Sequence, residues 1–190
     1  MNDPKIREAL HNVFLEEQHR EPSTLILDEL GLMHGKCRAD VAVINGRMEG
    51  YEIKSDVDSL LRLKGQIESY DAIFDRSYAV VTPRHLSGVE KSLPNWWGIV
   101  AVSESNSGFV TFRTLRIPSQ NPNIDDYAVA QLLWREEAQE ILSTLGVRGN
   151  QLRQKRSLLY SQIVNRLDSD KLHFLVREYL KKRKTWRLHG

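Results

Sequence analysis

Cysteine is almost missing from this 190-residue chain: Cys37 stands alone, so no internal disulfide can form and no cysteine-built zinc cluster is available. Long apolar runs are missing too. The longest, Trp96 to Val102, covers seven residues, against the roughly 20 a helix needs to cross a bilayer. The opening Met-Asn-Asp-Pro-Lys has no apolar segment and does not read as a secretory leader. A cytoplasmic setting and no membrane partner are therefore expected. The six histidines show no paired ligand spacing, so zinc is not expected. No Gly-x-Ser-x-Gly, Cys–His pair or dinucleotide loop occurs, which sets aside ester hydrolases and dehydrogenases. Gly31 to Cys37 holds Gly-x-x-x-Gly-Lys, one residue short of a phosphate loop and without the following Ser or Thr. It reads as a turn.

What is present is an ordinary globular composition, with 41% hydrophobic and 27% charged residues, enough for a real core. The net charge of +2 hides a division along the chain. Met1 to Trp134 carries 14 Lys and Arg against 19 Asp and Glu, whereas Arg135 to Gly190 carries 13 against 6. An acidic front with a basic rear points to a nucleic-acid contact from the rear, because clustered Lys and Arg match a phosphate backbone. The same clusters also read as a solvated helix face.

Hydrophobic periodicity predicts an amphipathic helix over 4–18, from Ile6, Ala9, Leu10, Val13 and Phe14. A β-favouring run follows at 24–27 and a loop at 31–36. Strands are then predicted over 38–44 and 48–54, on either side of Asn45-Gly46-Arg47, a hairpin signal. Leu60, Leu63, Ile67, Tyr70 and Phe74 step by three and four, predicting a helix over 56–75 capped by Ser55 and Asp58. A strand at 78–81, a helix at 85–93 and strands at 98–102 and 109–115 complete the front, with Trp96 and Trp97 as packing residues. Pro118 to Pro122 reads as a boundary between an α/β unit, 1–117, and a basic helical region, 123–190.

The hairpin carries the chemistry. Glu52 and Lys54 alternate onto one face of their strand. A two-residue turn would pair Ile44 with Arg47 and turn Asp40 away from Glu52; a three-residue loop pairs Ile44 with Met48 and Asp40 with Glu52. Both registers are open to the sequence. In the second, two carboxylates and a lysine converge. Such carboxylates bind Mg²⁺ through hard oxygens, and an adjacent ammonium can orient water or offset charge on phosphorus. A cross-strand salt-bridge network is the bland alternative.

Asp40 followed by Glu52-Ile53-Lys54 resembles the Asp…Glu-x-Lys signature of the PD-(D/E)XK, or restriction-endonuclease-like, nuclease superfamily. Gln66 and Tyr70 resemble the Gln-xxx-Tyr motif of its RecB-like branch. The run Gly35 to Gly46, then Gly50 to Asp56 and Trp96 to Ile99, is similar to a small bacterial family placed in that superfamily. Ala39 stands where the name would put proline, which removes no ligand. The resemblance spans about 24–102. It implies a restriction-endonuclease-like α/β core, a mixed central sheet flanked by helices, here with a C-terminal helical extension. It implies a metal-dependent nuclease acting on DNA with Mg²⁺ or Mn²⁺, with Asp40, Glu52 and the Ile53 carbonyl as ligands and Lys54 assisting water. Gln66, Tyr70 and Arg62 would position the nucleic acid or the catalytic groups, and Glu29, or else Glu17, would be an additional acid. Outside the span of the resemblance, the charge clustering of the rear points to Arg148, Arg153, Lys155, Arg156, Lys181, Lys182, Arg183 and Lys184 as residues that would hold DNA. Paired cuts on two strands would need a homodimer. The alternative is a non-cleaving nucleic-acid- or partner-binding module on the same fold.

Overall fold

Asn2 starts the first helix, α1 (Asp3–Ala9), its side chain accepting from the Lys5 amide at 3.3 Å. The computed structural model describes residues 1–183, so Lys184 lies outside the described residues. The single helix expected over 4–18 is broken: a π-turn (Leu10–Phe14) follows α1, and α2 (Glu16–Arg20) begins only after Leu15. Leu15 sits at φ −103°, ψ 17°, outside the helical well, and its fully buried side chain anchors the break.

Three antiparallel strands come next, β1 (Leu25–Leu32), β2 (Cys37–Ile44) and β3 (Met48–Lys54). The crossover helix α3 (Leu63–Asp71) leads to β4 (Arg76–Val81), parallel to β3, and α4 (Pro83–Ser92) leads to β5 (Gly98–Glu104), parallel to β4. The antiparallel β6 (Val110–Arg116) closes a six-stranded sheet whose spatial order follows the chain. This mixed sheet flanked by helices agrees with the expected α/β class.

The helix expected over 56–75 is cut at its front. Asp58 accepts from the Ser55 amide at 2.8 Å, as half a capping box would, but the chain turns there without starting a helix. Ser59 then accepts from the Leu61 amide at 3.2 Å and opens a 3₁₀ turn, so α3 begins at Leu63. Local side-chain bonds won over periodicity.

Alternation divides the sheet residues between two cores. Val41, Val43, Tyr51, Ile53 and Val100 pack with Ile6, Leu10 and Leu15 of the N-terminal segment. Ala42, Ile44, Met48 and Ala79 face the other way, toward Tyr70, Phe74 and Val89. Gly50 permits this approach: a Cβ there would stand 2.6 Å from the Phe74 ring.

The rear helices, α5 (Asp126–Ala130), α6 (Arg135–Thr144), α7 (Arg156–Val164) and α8 (Ser169–Lys182), join that second core through Val129, Ile141, Leu159, Ile163, Val176 and Leu180. The expected boundary is stitched down. Asn121 is buried, donating its side-chain amide to the carbonyls of Asp71 and Phe74, both at 2.7 Å. Front and rear therefore share one apolar cluster. Among the described residues no helix is long and apolar enough to cross a membrane.

Candidate functional site

The hairpin adopts the three-residue loop, with Ile44 opposite Met48 and Val41 opposite Tyr51. Beyond Val41 the strands part, and the Asp40 side chain takes over as partner of β3. Its Oδ2 accepts from the Ile53 amide at 2.7 Å. The Ile53 carbonyl belongs to the same side of the strand as its N–H, facing the gap that β2 leaves.

Glu52 and Lys54 sit on the α3 face, with side chains 1% and 5% exposed. Lys54 Nζ donates to Glu52 Oε1 at 2.6 Å and to Gln66 Oε1 at 3.0 Å. The Gln66 amide also donates to Glu52 Oε1. One turn along α3, the Tyr70 hydroxyl lies 2.9 Å from Glu52 Oε2 and 3.1 Å from the Tyr51 carbonyl, and it accepts from the Asp40 amide at 3.3 Å. The i, i+4 spacing of Gln66 and Tyr70 is what lets both reach one carboxylate. Asp40, Glu52, Lys54, Gln66 and Tyr70 are thus brought together.

Burial raises the Asp40 carboxyl to about 7, with the Glu52 charge pushing the same way and the Ile53 amide and Lys54 opposing. Burial also raises Glu52, against the charge and hydrogen bond of Lys54, the Tyr70 hydroxyl and the charge of Arg62. Two carboxylates this close resist joint ionisation. Without divalent cation, folded Asp40 keeps a proton that the unfolded chain has lost between roughly pH 4 and about 7. Stability from this group is full below the unfolded value and falls as pH rises through that window. Asp40→Asn is therefore expected to stabilise the metal-free protein by about 2–4 kcal/mol at pH 8 and hardly at all at pH 4. Urea unfolding at the two pH values checks this, and equal effects at both would refute it.

Glu29 is near but occupied. Its backbone is left-handed at φ 53°, and its carboxylate pairs with Arg7 at 2.8 Å and Arg38 at 3.9 Å. Glu17 lies exposed on α2. Arg62 is exposed in the 3₁₀ turn before α3, close enough for its charge to act on Glu52. Two residues escaped sequence reasoning. Arg7 donates to the Asp40 carbonyl at 2.8 Å and stands 3.8 Å from its Oδ1, while Asp3 pairs with Arg7 at 3.1 Å. Their i, i+4 spacing was visible, but on an amphipathic helix it reads as a solvated pair.

The basic rear divides. Arg183, grouped by sequence with the DNA-holding cations, is instead buried: it pairs with Glu137 at 2.6 Å, donates to the Leu132 carbonyl at 2.8 Å and stacks on Trp134. Lys181 pairs with Glu178 at 2.6 Å and Lys182 lies over Tyr179. Arg148 closes α6, donating to the Val147 carbonyl at 2.9 Å and to that of Ser143. Arg153, Lys155 and Arg156 remain exposed around the start of α7. One turn further, Tyr160 stacks on His34 at 5.7 Å, in the turn that enters β2. This contact sets α7 beside the turn between β1 and β2, the strand that bears Asp40.

Among the described residues, no group of three or more His, Cys, Asp and Glu side chains is arranged as a metal cage. A surface cleft of about 700 Å³ lies at the other end of the hairpin beside Arg47, Asp75 and Arg177, and is lined by none of Asp40, Glu52, Lys54, Gln66 or Tyr70.

A solved structure of SfsA from Pyrococcus furiosus in complex with Ca²⁺ is 15% identical, covers 60% of this chain and 64% of its own, and has a TM-score of 0.38. That likeness is too slight to carry an argument. Protein cII of Enterobacteria phage P4 is 30% identical over 122 residues, 64% of this chain but 46% of that protein, so the match spans about half the relative's length. The family described as bacteriophage P4 protein cII, a description that names no activity, matches residues 1–187. The chain belongs to the bacteriophage P4 protein cII family.

Proposed function

We propose that this chain is a metal-dependent nuclease that hydrolyses DNA phosphodiester bonds. The observation that carries the reading is the meeting of Asp40, Glu52 and Lys54 at the point where β2 and β3 part, steadied by Gln66 and Tyr70.

The donor set fits a hard dication. Asp40 Oδ1 is not used by the Ile53 amide, the Ile53 carbonyl faces the same gap, and a cation would offset the burial that raises both carboxyls. Asp40, Glu52 and the Ile53 carbonyl would hold it. Bound Mg²⁺ or Mn²⁺ supplies Lewis-acid polarisation of the phosphate and a more acidic water. The residues do the rest. Tyr70 and Gln66 fix both oxygens of Glu52, so its direction does not depend on substrate. Lys54 spends two of its three N–H donors on Glu52 and Gln66. The third can face the attacking water or a phosphoryl oxygen. Arg153, Lys155 and Arg156, exposed around the start of α7, would offset the repulsion between an acidic site and a polyanion.

A second reading, a non-cleaving nucleic-acid-binding module, is favoured by one observation: both oxygens of Glu52 are already taken by protein donors. Calorimetric titration of Mn²⁺ into the wild type and the Asp40→Ala, Glu52→Ala double variant separates the two. The nuclease reading expects binding in the first and none in the second, followed by cleavage of at least one member of a panel of duplex, single-stranded, branched and RNA substrates. Salt-sensitive DNA binding that survives loss of Asp40, with no Mn²⁺ bound even beside DNA, favours the module.

A further inference from the structure

We infer that His11 and His19 form a binding site for a transition-metal dication of the Zn²⁺ type, separate from the carboxylates of Asp40 and Glu52. Along an unbroken helix, residues eight apart would be separated by about 12 Å. The π-turn and the break at Leu15 fold the segment so that His11 Nδ1 and His19 Nε2 stand 3.0 Å apart, ring centroids 5.2 Å. Two nitrogens bound to one tetrahedral Zn²⁺ at about 2.0–2.1 Å are separated by about 3.3 Å, so the pair needs to open by only a few tenths of an ångström. The two nitrogens face each other across the space the cation would take.

The other ring nitrogen of His11 is held as a metal-bound histidine's is. His11 Nε2 lies 2.8 Å from Asp28 Oδ1, a carboxylate–histidine arrangement that sets ring direction and raises ligand basicity. Backbone geometry makes this contact possible beside the other one. Neighbours on a strand point to opposite faces, yet Asp28 reaches His11 while Glu29 reaches Arg7, both on the N-terminal segment. The left-handed backbone of Glu29, φ 53°, breaks the alternation. With two protein ligands, water completes the coordination, consistent with the absence of any three-group cage among the described residues. Imidazole donors suit Zn²⁺, Cu²⁺ or Ni²⁺ over Mg²⁺. The bound ion would clip the π-turn and α2 together against β1.

The test is calorimetry with Zn²⁺ alone on the full chain without a histidine tag. One equivalent is expected to bind to the wild type and to the Asp40→Asn, Glu52→Gln variant. It is expected to be lost in His11→Ala and in His19→Ala, and to weaken about 10–100-fold in Asp28→Asn. His19 is exposed, so its replacement leaves the fold intact by circular dichroism. In the wild type, Co²⁺ should broaden the ring resonances of His11 and His19 before those of any other histidine. No Zn²⁺ bound to the wild type, binding that survives His19→Ala, or broadening centred on another histidine each overturns the assignment.

Discussion

Lys54→Met is expected to slow metal-dependent DNA cleavage by about 10²–10³-fold, the usual cost of removing one preorganised donor from a site of developing charge. Methionine keeps the length and apolar character of a side chain that is 5% exposed, so the packing against α3 survives. What disappears is the ammonium 2.6 Å from Glu52. Glu52 then loses the largest influence opposing its burial and moves further up. Metal affinity should fall less than the rate, because Asp40 and the Ile53 carbonyl are untouched. Glu52→Gln, by contrast, should lose both together. Single-turnover cleavage beside Mn²⁺ calorimetry measures the two effects. A wild-type rate in Lys54→Met removes that residue from the mechanism.

Arg183→Ala is expected to cost about 3–5 kcal/mol of stability, the penalty for leaving one member of a buried ion pair alone. Arg183 meets Glu137 through two hydrogen bonds, at 2.8 and 2.6 Å, with side chains 4% and 12% exposed. Glu137 in turn accepts from the Trp134 amide at 2.7 Å at the start of α6, so the pair joins the end of α8 to that helix. The double change Arg183→Met, Glu137→Leu should recover much of the loss, since an apolar pair leaves no orphan charge. Urea unfolding measures both variants. DNA affinity should instead respond to Arg153, Lys155 and Arg156, with a shallower dependence on salt when they are replaced. A small stability change on losing Arg183 would return it to the exposed basic run.

Elements and their order were determined by the sequence itself, because alternation and helical period depend only on which residues stand two, three or four apart. The strands at 38–44 and 48–54, the helix bearing Gln66 and Tyr70 and the helical rear all belong to that class. So do the site's central residues, since Glu52 and Lys54 share a face in any strand and Gln66 and Tyr70 share one in any helix. Side-chain competition and long-range contact decided the rest. Ser55 and Asp58 shorten α3 by bonds that periodicity does not contain. The hairpin register was ambiguous because Asn-Gly suits more than one loop; burial of Ile44 opposite Met48 settles it. Arg183 looked like its basic neighbours, and only the distant Glu137 and Trp134 give it a buried partner and a ring to lie on. Arg7 beside Asp40 and His11 against His19 depend on the break at Leu15 and the left-handed Glu29. Neither conformation follows from local propensity, because a leucine in a helix and a glutamate in a strand adopt them only when the surrounding core compels it.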